Sequence, residues 1–247
     1  MLKTTWKQGI TLNRELKKGF RDGIPIALGY FAVSFSLGIT MVAAGITPGQ
    51  GTVMSLTNLT SAGEFAGVRI IAASGTLIEM ILTQLIINLR YSLMSLSLSQ
   101  KIDKKAKLWH RLVMAFGNTD EIFAVAMNHQ KSLTIRYMLG LQSLPVVGWT
   151  VGTLLGAVAG NLLPTRISVA LNVMLYGMFI AIVVPVAKRS RPVLIVSLLA
   201  VLLSCLFYFV PVLKEVSEGL AITICTVAAA TAGAVFFPVK QEEEDAG

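Results

Sequence analysis

The sequence predicts an all-α polytopic integral membrane protein of six or seven transmembrane helices, with a broken or re-entrant segment near residues 52–73. Three observations predict it. Of 247 residues, 54% are hydrophobic and 14% charged, little more than half the share of about 25% found in soluble domains. The mean hydropathy is +0.71. The charges are clumped, leaving apolar runs of about twenty residues, long enough to span a hydrocarbon core of about 30 Å. A disordered chain, a disulfide-stapled secreted module and a free cytosolic enzyme are excluded. The net charge of +8 does not point to nucleic acid, because the basic residues sit in short connecting segments without interleaved exposed aromatics.

Residues 1–21 hold Lys3, Lys7, Arg14, Lys17, Lys18 and Arg21 against Glu15 and read as a cytoplasmic, amphipathic lead-in. A single transporter domain is expected over 22–239, followed by a solvated acidic cytoplasmic tail over 240–247. The first apolar run covers 24–45, and Pro25 suits the first turn of a helix. No small-residue cleavage site follows, so this run is expected to stay as the first transmembrane helix. Thr47-Pro48-Gly49-Gln50-Gly51 reads as a short uncharged turn. The run 52–73 is irregular, with Asn58, Thr60, Ser61, Gly63, Glu64 and Arg69 inside it. The run 76–98 also carries polar groups. A basic segment follows, and then a shorter semi-apolar stretch over 112–127 that contains Asn118-Thr119-Asp120-Glu121. Further runs cover 138–163, 168–187, 192–212 and 219–237. Cys205 and Cys225 fall inside apolar runs, where a thiol behaves as a small hydrophobe.

Lysine and arginine are dense at 1–21, 101–111, 131–136 and 188–191, and sparse at 45–51, 161–167 and 213–218. Placing the dense segments on the cytoplasmic side works for every run except 52–73. The conflict disappears if that run enters and leaves on one side as two half-helices. Non-helical backbone at membrane depth is tolerated only where protein covers it or it lines a watery cavity, so Thr60–Phe65 is marked as a site. A full crossing, with 112–127 as another crossing, is the alternative, as is failure of the charge rule. A faint internal echo links Ala44-Gly45 and Pro48 with Ala159-Gly160, Pro164, Asn172 and Tyr176-Gly177. Transporters are often built from such halves.

At about 100° per residue, Thr76, Glu79, Thr83, Arg90 and Ser97 share an arc of roughly 60°. An ionised side chain at mid-bilayer costs about 2.5–3.5 kcal/mol, so this stripe faces protein, a partner or water unless Glu79 and Arg90 snorkel to opposite interfaces. The candidate substrate-binding set is Asn58, Thr60, Ser61, Gly63 and Glu64, joined by Asn88, Arg90 and Tyr91. Glu79, Asp120 and Glu121 are candidates for a proton relay or gate; an interfacial amphipathic helix is the bland reading of the last two. His110 and His129 flank that pair without a metal-ligand spacing. No metal or cofactor is expected. Gly148, Gly152, Gly156 and Gly160 recur every four residues, as a helix-packing surface requires. No nucleotide loop, nucleophile elbow or hydrolase spacing appears, and an enzyme is not expected.

At these residues the chain resembles the AzlC family of bacterial branched-chain amino acid exporters. The resemblance is carried by Gly23-Ile24-Pro25-Ile26-Ala27-Leu28-Gly29-Tyr30, Met54-Ser55, Thr60-Ser61-Ala62-Gly63-Glu64-Phe65-Ala66, Asn88-Leu89-Arg90-Tyr91-Ser92-Leu93-Met94-Ser95, Thr119-Asp120-Glu121, Gly152-Thr153-Leu154-Leu155-Gly156 and Gly160-Asn161-Leu162-Leu163-Pro164. It implies a large permease subunit in the bacterial inner membrane, acting with a small, separately encoded AzlD-like membrane partner. The implied activity is proton-driven export of valine, leucine, isoleucine and methionine. Glu64 departs from the glutamine that many members carry there, which bears on coupling or substrate choice.

Overall fold

The computed structural model describes residues 2–104, 106–160, 177, 180 and 183–238, with side chains from Arg14 onward except at Glu218. The run 168–187 therefore lies mostly outside the described residues. So do the Asn161–Pro164 motif, Asn172 and Tyr176 of the internal echo, and the acidic tail.

The regular structure is helical: α1 (Leu2–Ala43), α2 (Pro48–Asn58), α3 (Ser61–Ala72), α4 (Leu77–Lys101), α5 (Leu108–Phe116), α6 (Asp120–Asn128), α7 (Ile135–Gly160), α8 (Arg191–Phe209) and α9 (Glu218–Phe236). One isolated bridge pairs Ile102 with Leu133. Among the described residues, five stretches are long and apolar enough to cross a membrane: Arg14–Ala43, Leu77–Lys101, Ile135–Gly160, Arg191–Phe209 and Gly219–Phe236. The protein is an all-α polytopic membrane protein.

Two local expectations are corrected. Pro25 lies inside α1 and not in a first turn, because the basic lead-in continues the same helix. Its ring removes one i→i−4 bond, yet α1 runs on to Ala43, held by its packing on α7. Residues 47–51 are also not a free turn. Thr47 is the N-cap of α2 and forms a capping box with Gln50, with Pro48 in the first turn. The pattern Thr-x-x-Gln satisfies two orphan backbone groups reciprocally.

Contacts divide the chain into two compact units, residues 1–68 with 88–175, and 69–87 with 176–247. In the first unit, α1 and α7 run parallel and in constant register. Gly148 lies on Ala27, Gly152 on Phe31, Gly156 on Phe35 and Gly160 on Ile39. Gly140 meets Phe20 from the same face, and Gly19, Gly23 and Gly38 answer from α1. The approach is backbone to backbone. A Cβ on Gly148 would stand 2.7 Å from the Ala27 carbonyl oxygen, and one on Gly156 would stand 2.8 Å from Phe35 Cα. With no hydrophobic drive between helices in lipid, such close contact is what holds them together.

Two apolar cores flank this seam. One gathers Leu37, Met41, Ile46, Leu59, Val68 and Trp149; the other centres on Met114, Ile122, Leu133, Tyr137 and Leu141. In the second unit, Glu79 is buried and accepts the Gly219 N–H at 2.7 Å, while Thr83 donates to the Gly219 carbonyl at 3.1 Å. A carboxylate at the first turn of α9 is favoured by the helix dipole. No residue of α8 is buried, which suits a helix bathed in lipid. Cys205 and Cys225 are free thiols.

The seam sets a direct test. Gly156→Ala should lower the melting temperature of the detergent-solubilised protein, by the equivalent of about 1–3 kcal/mol of overpacking. Gly29 is exposed with nothing within 4 Å of its would-be Cβ, so Gly29→Ala should leave stability unchanged or raise it by up to about 1 kcal/mol. Equal effects at the two positions would remove the seam as the organising contact.

Candidate functional site

The first unit contains two interrupted helices. Between α2 and α3 the chain turns at Leu59, whose backbone is left-handed (φ 50°, ψ 19°). For a residue with a side chain this costs about 1–2 kcal/mol, and the Leu59 side chain is buried in the core beside Trp149. Thr60 then starts α3: its Oγ1 accepts the Gly63 N–H at 3.1 Å and donates to Asn88 Oδ1 at 2.9 Å. The second interruption is Gly117-Asn118-Thr119, between α5 and α6. Thr119 stands at the N-cap of α6 without a side-chain cap bond, because its hydroxyl is engaged by Tyr30 at 2.7 Å. The sequence reading had one broken segment; the structure has two.

Both breaks face one side of α4. Asn88, Tyr91 and Ser95 recur at helical spacing, and Asn118 Nδ2 donates to Ser95 Oγ at 3.2 Å. The side chains converge on a cavity of about 240 Å³ lined by Asn58, Leu59 and Thr60 from the first break, Phe116, Asn118 and Thr119 from the second, and Asn88 and Tyr91 from α4. It is smaller than the roughly 300–1,000 Å³ pockets that hold drug-sized ligands. Helix N-termini and C-termini meet at both breaks, so N–H donors and carbonyl acceptors are offered together. Leu59, Ala115 and Phe116 supply an apolar wall.

Of the sequence-predicted residues, Asn58, Thr60, Asn88 and Tyr91 line this cavity. Arg90 pairs with Asp120 at 3.0 Å, both half-exposed, and its guanidinium lies 5.1 Å from the Tyr91 ring centre. Glu121 turns the other way and accepts from the Tyr30 hydroxyl. Ser61 is half-buried in the first turn of α3, and Gly63 is buried on Thr60. Glu64 does not line the cavity. It is 0% exposed and sealed behind it, accepting from the Ser55 hydroxyl and, at 2.8 Å, from Trp149 Nε1. Ser55 also shares a 2.7 Å bond with Thr153, so this knot ties α2, α3 and α7. Glu79 belongs to the second unit, and Gly148, Gly152, Gly156 and Gly160 belong to the seam. Tyr30, Trp149 and Asn118 are the residues that sequence reasoning missed. Tyr30 and Trp149 meet edge-on at 5.3 Å and thereby join the two breaks. Only Gly117-Asn118, a turn-forming pair inside a short apolar run, could have signalled the second.

A separate cavity of about 480 Å³ is lined by Lys18, Asp22, Val125, His129 and Tyr137. His129 caps the C-terminus of α6 and stacks on Tyr137 at 4.1 Å. Lys18 Nζ donates to its Nδ1 at 3.3 Å, and Glu15 lies 3.8 Å from its Nε2. Burial, then the Lys18 ammonium, holds this imidazole below its ordinary range, against the opposing pull of Glu15.

The fold and the paired breaks define a multi-helix membrane protein with a small polar chamber inside one unit. The chain belongs to the AzlC family: the AzlC protein family matches residues 25–163, which include both breaks and most of the seam. It is 30% identical over 174 residues to an uncharacterized membrane protein of Archaeoglobus fulgidus, covering 70% of this chain and 76% of that protein. It is 25% identical over 189 residues to the inner membrane protein YgaZ of Escherichia coli, covering 74% and 77%. A membrane protein of Helicobacter pylori is 25% identical over 154 residues, covering 60% and 67%. No solved structure matches the chain.

Two outcomes test these networks. Trp149→Phe and Ser55→Ala each strip one donor from a buried carboxyl and should each cost about 1–3 kcal/mol. The double variant should depart from their sum by at least about 0.5 kcal/mol in thermal unfolding, and strict additivity would dissolve the knot. For His129, the folded-state value lies below the unfolded one, so the unfolded chain binds more protons as pH falls. Stability should be full above the ordinary imidazole range and drop on acidification below it. His129→Gln should flatten that dependence between about pH 7 and pH 5, and an unchanged slope would rule the ring out.

Proposed function

We propose that the chain is the large permease subunit of a secondary transporter that exports branched-chain amino acids, namely valine, leucine and isoleucine, with methionine as a further substrate. The observation that carries this reading is the chamber between the two helix breaks. Its size suits one small solute. Its polar ends suit a zwitterion, with helix N-termini for a carboxylate and helix C-termini with amide oxygens for an ammonium. Leu59, Ala115 and Phe116 suit an aliphatic side chain. Thr60, Asn88 and Tyr91 orient the substrate, with Asn58, Ser61 and Gly63 shaping the first break. Arg90 and Asp120 form a gate beside it, and Glu64 and Glu121 carry the proton coupling through the knots that hold each break.

The chain works in the bacterial inner membrane with its N-terminus in the cytoplasm, as the positive-inside rule requires of the basic residues before Ile24. A small AzlD-like membrane subunit accompanies it. The apolar α8, none of whose residues is buried, offers a face that either lipid or such a subunit can cover. Preloaded labelled leucine should leave cells carrying the chain and its partner faster than cells without them. Arg90→Ala and Thr60→Val should each slow that efflux about tenfold or more, an amount equal to losing one charge-assisted or buried hydrogen bond. Undiminished efflux in variants that insert normally would remove those assignments. Competition by unlabelled valine and isoleucine, and its absence with lysine or glutamate, checks the substrate class.

A further inference from the structure

Four buried side-chain polar atoms among the described residues have no hydrogen-bond partner: Asn118 Oδ1, His129 Nε2, Gln142 Oε1 and Ser217 Oγ. One of the four, Asn118 Oδ1, belongs to the second helix break, and another, Gln142 Oε1, reaches it from α7; both are amide carbonyl oxygens on residues only 5% exposed. Buried polar atoms in folded proteins nearly always find a partner, so a pair left open at one break calls for a ligand. The orientation of Gln142 is fixed, because its Nε2 donates to the Val113 carbonyl at 3.0 Å and its Oε1 faces away from that bond. The side chain lies against Gly117, where a Cβ would come within 2.7 Å of that oxygen. Asn118 is the next residue. Its Nδ2 is held by Ser95, and it lines the chamber. The same place is the C-terminal, electronegative end of α5.

We propose that the α5–α6 break is a binding site for a small monovalent cation, received by Asn118 Oδ1 and Gln142 Oε1. The donor set consists of hard, neutral oxygens, which suit a single positive charge. Calcium and magnesium draw on carboxylates, and the two that open α6 are already committed, Asp120 to Arg90 and Glu121 to Tyr30. Both oxygens are closed to water, so the ion enters dehydrated. An inorganic ion and the ammonium group of a bound amino acid share this chemistry. The site itself does not depend on the export reading; only the ammonium source does.

The experiment uses the purified full-length chain in detergent. Its melting temperature is read in sodium, potassium and N-methylglucamine chloride at equal ionic strength. In N-methylglucamine it is read again with leucine and with 4-methylpentanoate, the same skeleton without the ammonium. A saturating cation should raise the melting temperature by on the order of 4 °C. Gln142→Leu should abolish the rise. Asn118→Asp, which keeps the shape and adds charge, should tighten the apparent affinity about tenfold or more. A rise with sodium or potassium identifies an inorganic ion. A rise with leucine alone, absent with 4-methylpentanoate, identifies the ammonium. No rise with any cation, a rise that survives Gln142→Leu, or an affinity unmoved by Asn118→Asp overturns the site. Absent leucine efflux with an intact sodium effect would overturn the export reading and leave the site standing.

Discussion

Everything in the first unit hangs on the backbone-to-backbone contact of α1 with α7. Inside a bilayer, helices gain little by hiding apolar side chains from one another, so adhesion has to come from close packing. Glycine at four-residue intervals removes the side chains that would hold the two axes apart. The register that results puts Tyr30 of α1 beside Trp149 of α7. Each of these rings reaches one interrupted helix, Tyr30 through Thr119 and Glu121, and Trp149 through Glu64. The seam thus acts as a backboard on which both breaks are mounted.

The breaks impose a second requirement. An interrupted helix exposes backbone donors and acceptors that hydrocarbon cannot satisfy. At the first break the Thr60 hydroxyl answers that demand at the Gly63 N–H, and the buried Glu64 knot ties the flanking helices together. At the second, Thr119 has been drawn off to Tyr30, and two amide oxygens are left open. The first break is therefore closed on itself, while the second keeps unspent hydrogen-bonding capacity. That asymmetry separates a wall of the chamber from its receptive side.

Much of this was legible in the sequence. The five long helices follow from apolar runs whose lengths match a bilayer. The interruption near Thr60 follows from the conflict between the 101–111 charges and three full crossings before them, which would place that basic segment outside. The glycine period announced the seam, although not which helix it would meet. What stayed hidden depends on partners far apart in the chain. Glu79 looked like a member of a polar stripe with Arg90, yet its partner is the Gly219 amide, 140 positions away. Glu64 reads as a substrate ligand because its neighbours are small and polar, and only the fold shows Trp149 closing over it. Asp120 and Glu121 are adjacent in sequence, but successive helical residues point about 100° apart, so each took a different partner. The capping box at Thr47 and Gln50 is written in the Thr-x-x-Gln spacing, while the Pro-Gly between them equally suits a turn.

The chain has three tryptophans, and two of them, Trp109 and Trp149, have contrasting surroundings. Trp109 is 55% exposed, whereas Trp149 is 2% exposed with its indole N–H fixed on a carboxyl and its ring edge-on to a tyrosine. Indole emission responds to the polarity and hydrogen bonding of its surroundings, so Trp149 is an intrinsic optical reporter set at the junction of the two breaks. With Trp6 and Trp109 replaced by phenylalanine, the remaining fluorescence would follow rearrangement at that junction without any attached label.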